Sequence, residues 1–582
     1  MALTIKEVCE KFWNIEEKYE LNHMEIQNIY PWQLIRVQLF SIIKNKLGIS
    51  KHNEEIEKYN NPNAKLLKSF IKSSLLYKPE SGKQKDVLIF DYPKKVFFNE
   101  EYQDIYSYFI PKTLDNFNQS YELIESPYLN NHYTPNWKKK DKNGNRYIKY
   151  NDKILIESYI HRNKNKIEFT EEELNKINLI EQDIENSFSD IESRIIITID
   201  LEKIIEDSIL NFKFQYKKYL EIFEAKKPKK IIIIHTPENK PIIAAAKEKN
   251  IEVIELQHEI INKYNLSYSY PKKTMHKNGK VKEIAYFPDK ILTFGEYWNT
   301  SCSYPIKSEN IITMGFPYFR MHYEKYKLNN KNKNQILFIS EQRIGKDLSK
   351  IAYNLAMNLA EKEETKEIIL KEEKEDYEDE INKETVKIPI DIAVKKATSI
   401  GKNKSKNEII KLIDEMKEEI IKNKKDKKQK IKEEKERKEW EEFNSKEKYE
   451  IVYKLSPEEY KTWNEDYLYL NKALEINGPK STVTFKIIKE ETTDYKLFAD
   501  SEYCINLNPK SIYKSLAFGC KTFIIEDNEN EYVEDLITKN IINKINSVDE
   551  LIKDIKNREV ENKNYEDYFF DKYNEDIFLN IF

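Results

Sequence analysis

One stretch constrains this chain more than any other: KKIIIIHTPENKPIIAAAKEKNIEVIELQHE. The isoleucines at 231–234 predict a strand buried on both faces, because a half-exposed strand would alternate polar and apolar residues. Lys240 to Asn250 reads as a short Ala-rich helix, and IEVIEL at 251–256 as a second strand. A strand–helix–strand unit this short predicts parallel strands joined by a right-handed crossover. Open parallel sheets bind ligands beyond the carboxyl ends of their strands. His235 and the run Gln257-His258-Glu259 fall there, with Glu255 close by. A histidine and a glutamate at such an edge suit a general base, or a pair that holds a substrate hydroxyl. The same residues also suit a capped loop with a structural histidine.

The pattern repeats on both sides. Residues 1–80 carry a helical stripe of Trp32, Leu34, Ile35, Val37, Leu39, Phe40 and Ile43. DVLIFDYP (Asp86–Pro93) and SYELIESP (Ser120–Pro127) read as strands, and 165–225 as charged helix. Phe287–Phe319 reads as strand, glycine loop, helix, strand and a Gly-Phe-Pro turn. A new strand opens at NQILFIS, which puts the main boundary near 328. Residues 362–447 break the rhythm. Lysine and glutamate dominate them, with one amphipathic face of Ile409, Leu412, Ile413, Met416 and Ile420, so they read as an inserted charged helical arm. The α/β pattern then resumes through EIVYKLSPEEYKTW, STVTFKII, EYCINLN, SIYKSLAFG and KTFIIE. The expected class is α/β, with two Rossmann-like domains at 81–328 and at 329–361 plus 448–582, an N-terminal helical segment at 1–80, and the insertion.

Composition excludes more than it identifies. Against 98 Lys+Arg stand 101 Asp+Glu, a net charge of −3, so the basic excess of a nucleic-acid binder is missing and no nucleic-acid partner is expected. Cys9, Cys302, Cys504 and Cys520 are scattered with no CxxC pair, which gives neither zinc spacing nor a disulfide framework. That usage, a charged start that is not a secretory signal, and no run of about 18 apolar residues point to a cytoplasmic protein. There is no GxGxxG, Walker loop, HExxH or GxSxG, and only 10 glycines, so a dehydrogenase or P-loop ATPase is not expected.

Two segments of the second half add candidates. In YKLSPEEY, Lys454 and the amides around Ser456 open a turn where an anion fits. An ordinary strand–turn–helix with a surface lysine fits as well. In NLNPKSIYKSLAFGCKTFIIE, Ser511 suits a helix N-cap and Gly519 the helix end, while Lys510 and Lys514 bring positive charge.

Taken in order, IELQHEI, PDKILTFGEYW, MGFPYF, YKLSPEEY and SIYKSLAFGCKT resemble the two-Rossmann (GT-B type) glycosyltransferases of bacterial capsule and surface-polysaccharide synthesis, and more loosely CDP-glycerol glycerophosphotransferases. The resemblance spans roughly residues 85–360 and 448–545. Departures fall on polar positions. Glu259 stands in place of Gly, Ser456 in place of a His before Pro, Pro509-Lys510 in place of Ser-Thr, and Lys514 in place of Glu. The resemblance implies transfer of a sugar from a nucleotide-sugar donor to a glycan or glycolipid acceptor by direct displacement without a metal. No cofactor is implied, the nucleotide sugar being a substrate. His258 and Glu259 would be catalytic. His235, Gln257, Glu296 and Gly315 would contact substrate, and Lys454, Ser456, Lys510, Ser511 and Lys514 would hold the donor nucleotide. Peripheral association with membrane-bound polysaccharide assembly at the inner membrane is implied, and the arm is a candidate dimer contact. The alternative is a non-catalytic relative that scaffolds polysaccharide assembly through the arm.

Overall fold

The computed structural model describes residues 3–49, 71, 77–128, 131–132, 139–189, 195–271, 276–277, 280–341, 344–360, 395–396, 399, 405–479, 481–489, 494–506, 509–525, 530–557 and 563–581. Seven strands make the first sheet: β1 Val87–Phe90, β2 Tyr121–Glu125, β3 Ile148–Tyr150, β4 Lys230–Ile233, β5 Glu252–Leu256, β6 Lys290–Thr293 and β7 Ile311–Thr313. Their order across the sheet is β7-β6-β5-β4-β1-β2-β3, and every pairing is parallel. The second sheet has β8 Asn332–Ile339, β9 Tyr449–Lys454, β10 Val483–Ile488, β11 Ser501–Asn506, β12 Lys521–Ile525 and β13 Asn543–Ile545. Its order is β10-β9-β8-β11-β12-β13, again all parallel. Both sheets run outward from their first strand in one direction and then in the other. That is the Rossmann order, and it leaves a topological switch point between β1 and β4 and between β8 and β11. The expected α/β class with two Rossmann-like domains is the one observed.

The central strands are apolar because helices cover both faces. Ile231 and Ile233 lie in one core with Tyr219, Phe223 and Ala245, whereas Ile232 and Ile234 lie in another with Val87 and Leu256. The first of these cores packs on the 26-residue helix Leu201–Lys226 and on Lys240–Glu248.

Two features differ from the expected layout. The N-terminal helices Ile5–Lys18 and Pro31–Lys46 are not a separate layer. They share a core with Glu171–Phe188 and Leu201–Lys226. A buried Arg36–Glu16 pair at 2.8 Å fastens them, with the guanidinium 4.0 Å from the Tyr270 ring. Residues 563–570 still touch the second half, with Tyr565 N donating to Leu516 O (3.4 Å) and Phe569 against Tyr513 (5.1 Å), but 571–581 cross to the first. The Asp571 amide donates to the Phe294 carbonyl (2.7 Å), Phe316 N to Asp571 O (3.1 Å) and Asn574 N to Met314 O (3.0 Å), while Phe578 and Ile581 enter the first sheet's core. The apolar content of this tail matches the first sheet's uncovered face, and burial there overrides chain proximity. The insertion, expected to be helical, contains the 40-residue helix Lys406–Ser445. Its expected stripe falls largely outside the described side chains, since nothing is described for those of Ile409, Ile413 and Ile420.

Candidate functional site

β4 ends against the switch point of the first sheet, and the next residues are Ile234, buried, and His235. The Thr236-Pro237-Glu238 turn folds the chain back, with proline where its missing N–H costs nothing. The turn brings Glu238 Oε1 to 3.5 Å from His235 Nδ1. Next door, β5 delivers His258. The two imidazoles meet edge to face with centroids 4.8 Å apart. The His235 ring remains 22 % exposed, whereas His258 is buried beneath Tyr92 (5.2 Å) and Tyr106 (5.9 Å).

Their proton affinities diverge. Burial works against a charge on His235, but Glu238, Glu259 and Glu255 outweigh it and raise its pKa above 6.5. Burial and the His235 charge both push His258 well below 6.5. The pair therefore carries its proton on His235. His258 is further committed inside the fold, with Nδ1 3.4 Å from the Tyr268 hydroxyl and a ring hydrogen bond to the backbone of Ile234. Below them Glu255 is fully buried. It accepts from the Thr236 amide (3.1 Å), the Thr236 hydroxyl and the Tyr268 hydroxyl (2.6 Å), and burial lifts its pKa to about 7.

The remaining first-half candidates separate. Gln257 spends its amide on the chain, accepting from Phe294 N (2.8 Å) and donating to Glu259 O (2.9 Å). The Glu259 carboxylate accepts from Asn265 Nδ2 at 3.0 Å, and it adds a small part to a rise in the Tyr106 pKa that is mainly due to burial. Glu296 is exposed at the start of a 3-10 turn whose Tyr297 and Trp298 are buried. Gly315 contradicts its expected substrate contact. At φ +93°, its missing side chain makes room for the backbone of Asp571 and Lys572, so the C-terminal tail occupies that space.

A line of rings crosses to the second half. Tyr106 stacks on Phe316 (5.8 Å), Phe316 leads to Tyr318 (6.2 Å), and Tyr318 meets His322 (4.8 Å). The His322 ring stacks on Tyr495 at 4.5 Å, and Lys514 Nζ sits 5.3 Å over the same tyrosine. Burial and the charges of Lys325 and Lys514 lower His322 to about 4. Burial also lowers Lys514, against the pull of Asp494. Of the donor candidates, Lys514 is the one this line joins to the histidine pair. Lys510 and Ser511 lie in the first turn of the helix Pro509–Ala517, which begins two residues earlier than expected, so Ser511 is inside the helix rather than its N-cap. Gly519 ends that helix at φ +68°, as its position implied.

Lys454 and Ser456 do not form an open anion site. The Ser456 amide donates to Glu459 Oε2 (2.6 Å), and Lys454 Nζ reaches Tyr460 OH (2.6 Å) and Leu455 O (3.0 Å). The buried Glu459 carboxylate, which also accepts from Ser340 (2.8 Å) and Tyr467 (2.6 Å), is the anion that turn receives.

A second polar cluster at the same sheet edge escaped the sequence reading. Asp91 follows β1 and is ion-paired to the buried Lys95, and Glu125 ends β2. His132 Nδ1 lies 2.5 Å from Glu125 and Nε2 2.8 Å from Asp152, with the ring stacked 3.8 Å from Tyr150. Carboxylates closing FDYP and LIESP were its visible signal; the histidine's partners are too distant in sequence to pair by inspection. Among the described residues, no three His, Cys, Asp or Glu side chains converge as a metal site, and all four cysteines are free.

No protein-family model matches the sequence, and no curated protein does. Among solved structures, the UDP-GlcNAc 2-epimerase of Methanocaldococcus jannaschii aligns over 86 % of this chain and 99 % of its own at 10 % identity and TM-score 0.40. The lipopolysaccharide outer core galactosyltransferase WaaB aligns over 86 % and 98 % at 8 % identity and TM-score 0.35. MurG of Acinetobacter baumannii aligns over 82 % and 91 % at 7 % identity and TM-score 0.36. At such scores these likenesses add nothing to the fold read from the strand order.

Proposed function

We propose that the chain is a glycosyltransferase that moves a sugar from a nucleotide-sugar donor to a surface glycan or glycolipid acceptor. The observation that carries this reading is the His235–Glu238 pair at the switch point of the first sheet, joined by rings to Lys514 of the second. In this scheme the donor binds the second half, its diphosphate against the first turn of Pro509–Ala517 and the Lys514 charge. The acceptor lies at the edge of the first half. His235, in its neutral form, takes the acceptor hydroxyl proton as that oxygen bonds to the anomeric carbon. The bond from that carbon to the diphosphate oxygen breaks, and the leaving phosphate carries away the negative charge. His258 holds His235 in place and is a positioning residue, because burial and its own hydrogen bonds keep it out of proton transfer. This reassigns the base from His258 to His235.

Calorimetric titration with CMP, CDP, UDP, GDP and their sugars tests the donor half. Binding of one of them, weakened about 10-fold or more in Lys514→Ala, is expected; no binding by any sinks the reading. With a binding donor in hand, His235→Ala is expected to lower turnover by about 10² or more while leaving donor affinity intact. A donor that binds without turnover in the unaltered protein would favour the non-catalytic alternative, for which the tethered Glu259 carboxylate speaks.

A further inference from the structure

The helix Lys406–Ser445 carries a pattern that no part of the transfer scheme uses. Between 421 and 435 the sequence is IKNKKDKKQKIKEEK, eight lysines against Asp426, Glu433 and Glu434. At about 100° per residue, Ile421, Lys424, Lys425, Lys428, Ile431, Lys432 and Lys435 share one face, recurring at threes and fours over four turns. The three carboxylates all lie more than about 100° from the centre of that face. Ile421 and Ile431 are 55 % and 58 % exposed. Lys432 reaches Glu436 only at 3.9 Å, an exposed pair of little worth.

We propose that this face is a docking surface for an anionic lipid bilayer, with the helix lying in the interface plane. Charge complementarity selects an anionic partner: between 421 and 435 five lysines and no acid present one face, which ends where Glu436 and Glu439 begin, in a chain whose net charge is −3. The isoleucines select a lipid among anions. A phosphate-lined nucleic-acid groove gives them nothing, whereas the boundary between headgroups and acyl chains buries them and lets the long lysine side chains reach the headgroups. The lysines then work as a juxtamembrane basic cluster does, each adding attraction that falls off within a Debye length.

The test uses the full chain and sedimentation with vesicles of phosphatidylcholine alone or with one-third phosphatidylglycerol. Binding to the anionic vesicles and not to the neutral ones, weakened by salt, is expected. K424E/K425E/K428E is expected to weaken partition at least about 100-fold. K422E/K427E/K430E changes net charge equally from the other side of the helix and is expected to bind far more tightly than the first triple variant. I421S/I431S, which alters no charge, is expected to weaken partition by about 10-fold. Far-UV circular dichroism checks that each variant keeps its helix. No binding to anionic vesicles, equal loss in both lysine triples, or an unchanged isoleucine variant overturns the proposal. Duplex DNA that binds the same face as tightly as the vesicles overturns it too.

Discussion

His235 and His258 touch, yet their surroundings drive them in opposite directions, and each direction is measurable. In NMR titrations of the ring protons, His235 is expected to titrate above pH 6.5 and His258 to stay neutral well below it. Glu238→Gln removes the main charge that opposes burial, so the His235 midpoint is expected to fall to 6.5 or lower. An unmoved midpoint would show that Glu238 does not set it. Under the proposed scheme the same substitution moves the acid limb of kcat/KM downward, because neutral imidazole then persists to lower pH. His132 offers a stability counterpart. Burial opposes its charge, but Asp152 and Glu125 win and raise it to about 9. A raised histidine stabilises the fold fully below its unfolded value near 6.5, and that contribution is lost as pH rises through about 9. Urea unfolding of His132→Gln against the unaltered protein is expected to give a difference of about 3 kcal/mol at pH 6. That gap should narrow toward pH 9.5.

At the scale of elements, local rules account for much of what forms. Thr170 accepts from the Glu173 amide (3.2 Å), and Glu173 accepts in return from the Thr170 amide (2.8 Å), closing both ends of a capping box before Glu171–Phe188. Thr170→Ala is expected to cost about 1 kcal/mol in chemical denaturation. The strands were legible because buried parallel strands must be nearly all apolar, as in VLIF, KIII and FII. Their parallel pairing followed from the short helix between β4 and β5. The self-capping of the Ser456 turn was also written in the sequence, since Ser-x-x-Glu is a capping-box spelling. Read as a phosphate site, it hid Glu459 as the occupant. The aromatic line from Tyr106 to Tyr495 was not legible, because its members come from three distant segments and each alone looks like ordinary core.

For the molecule as a whole, the decisive contact is the return of 571–581 to the first sheet. The sequence expectation kept these residues with the second domain, since nothing local says which domain they join; burial against the first sheet decides it. Gly315→Ala forces a side chain at φ +93° into the Lys572 backbone. It is expected to cost about 2 kcal/mol or more in urea unfolding. Deleting 563–582 should lower the thermal midpoint by itself and reduce the further effect of Gly315→Ala to backbone strain alone. Full additivity of the two changes would mean that the tail and Gly315 are energetically unconnected.

The same return gives the chain an unusual birth order. The first sheet's last strand is made by residue 313, but Phe578 and Ile581, which complete its core, emerge about 265 residues later. At about 5–20 residues per second that interval is on the order of 13–50 s. The half that is synthesised first is thus the half that is finished last. Throughout that wait, a strip of apolar sheet is left facing solvent on the ribosome.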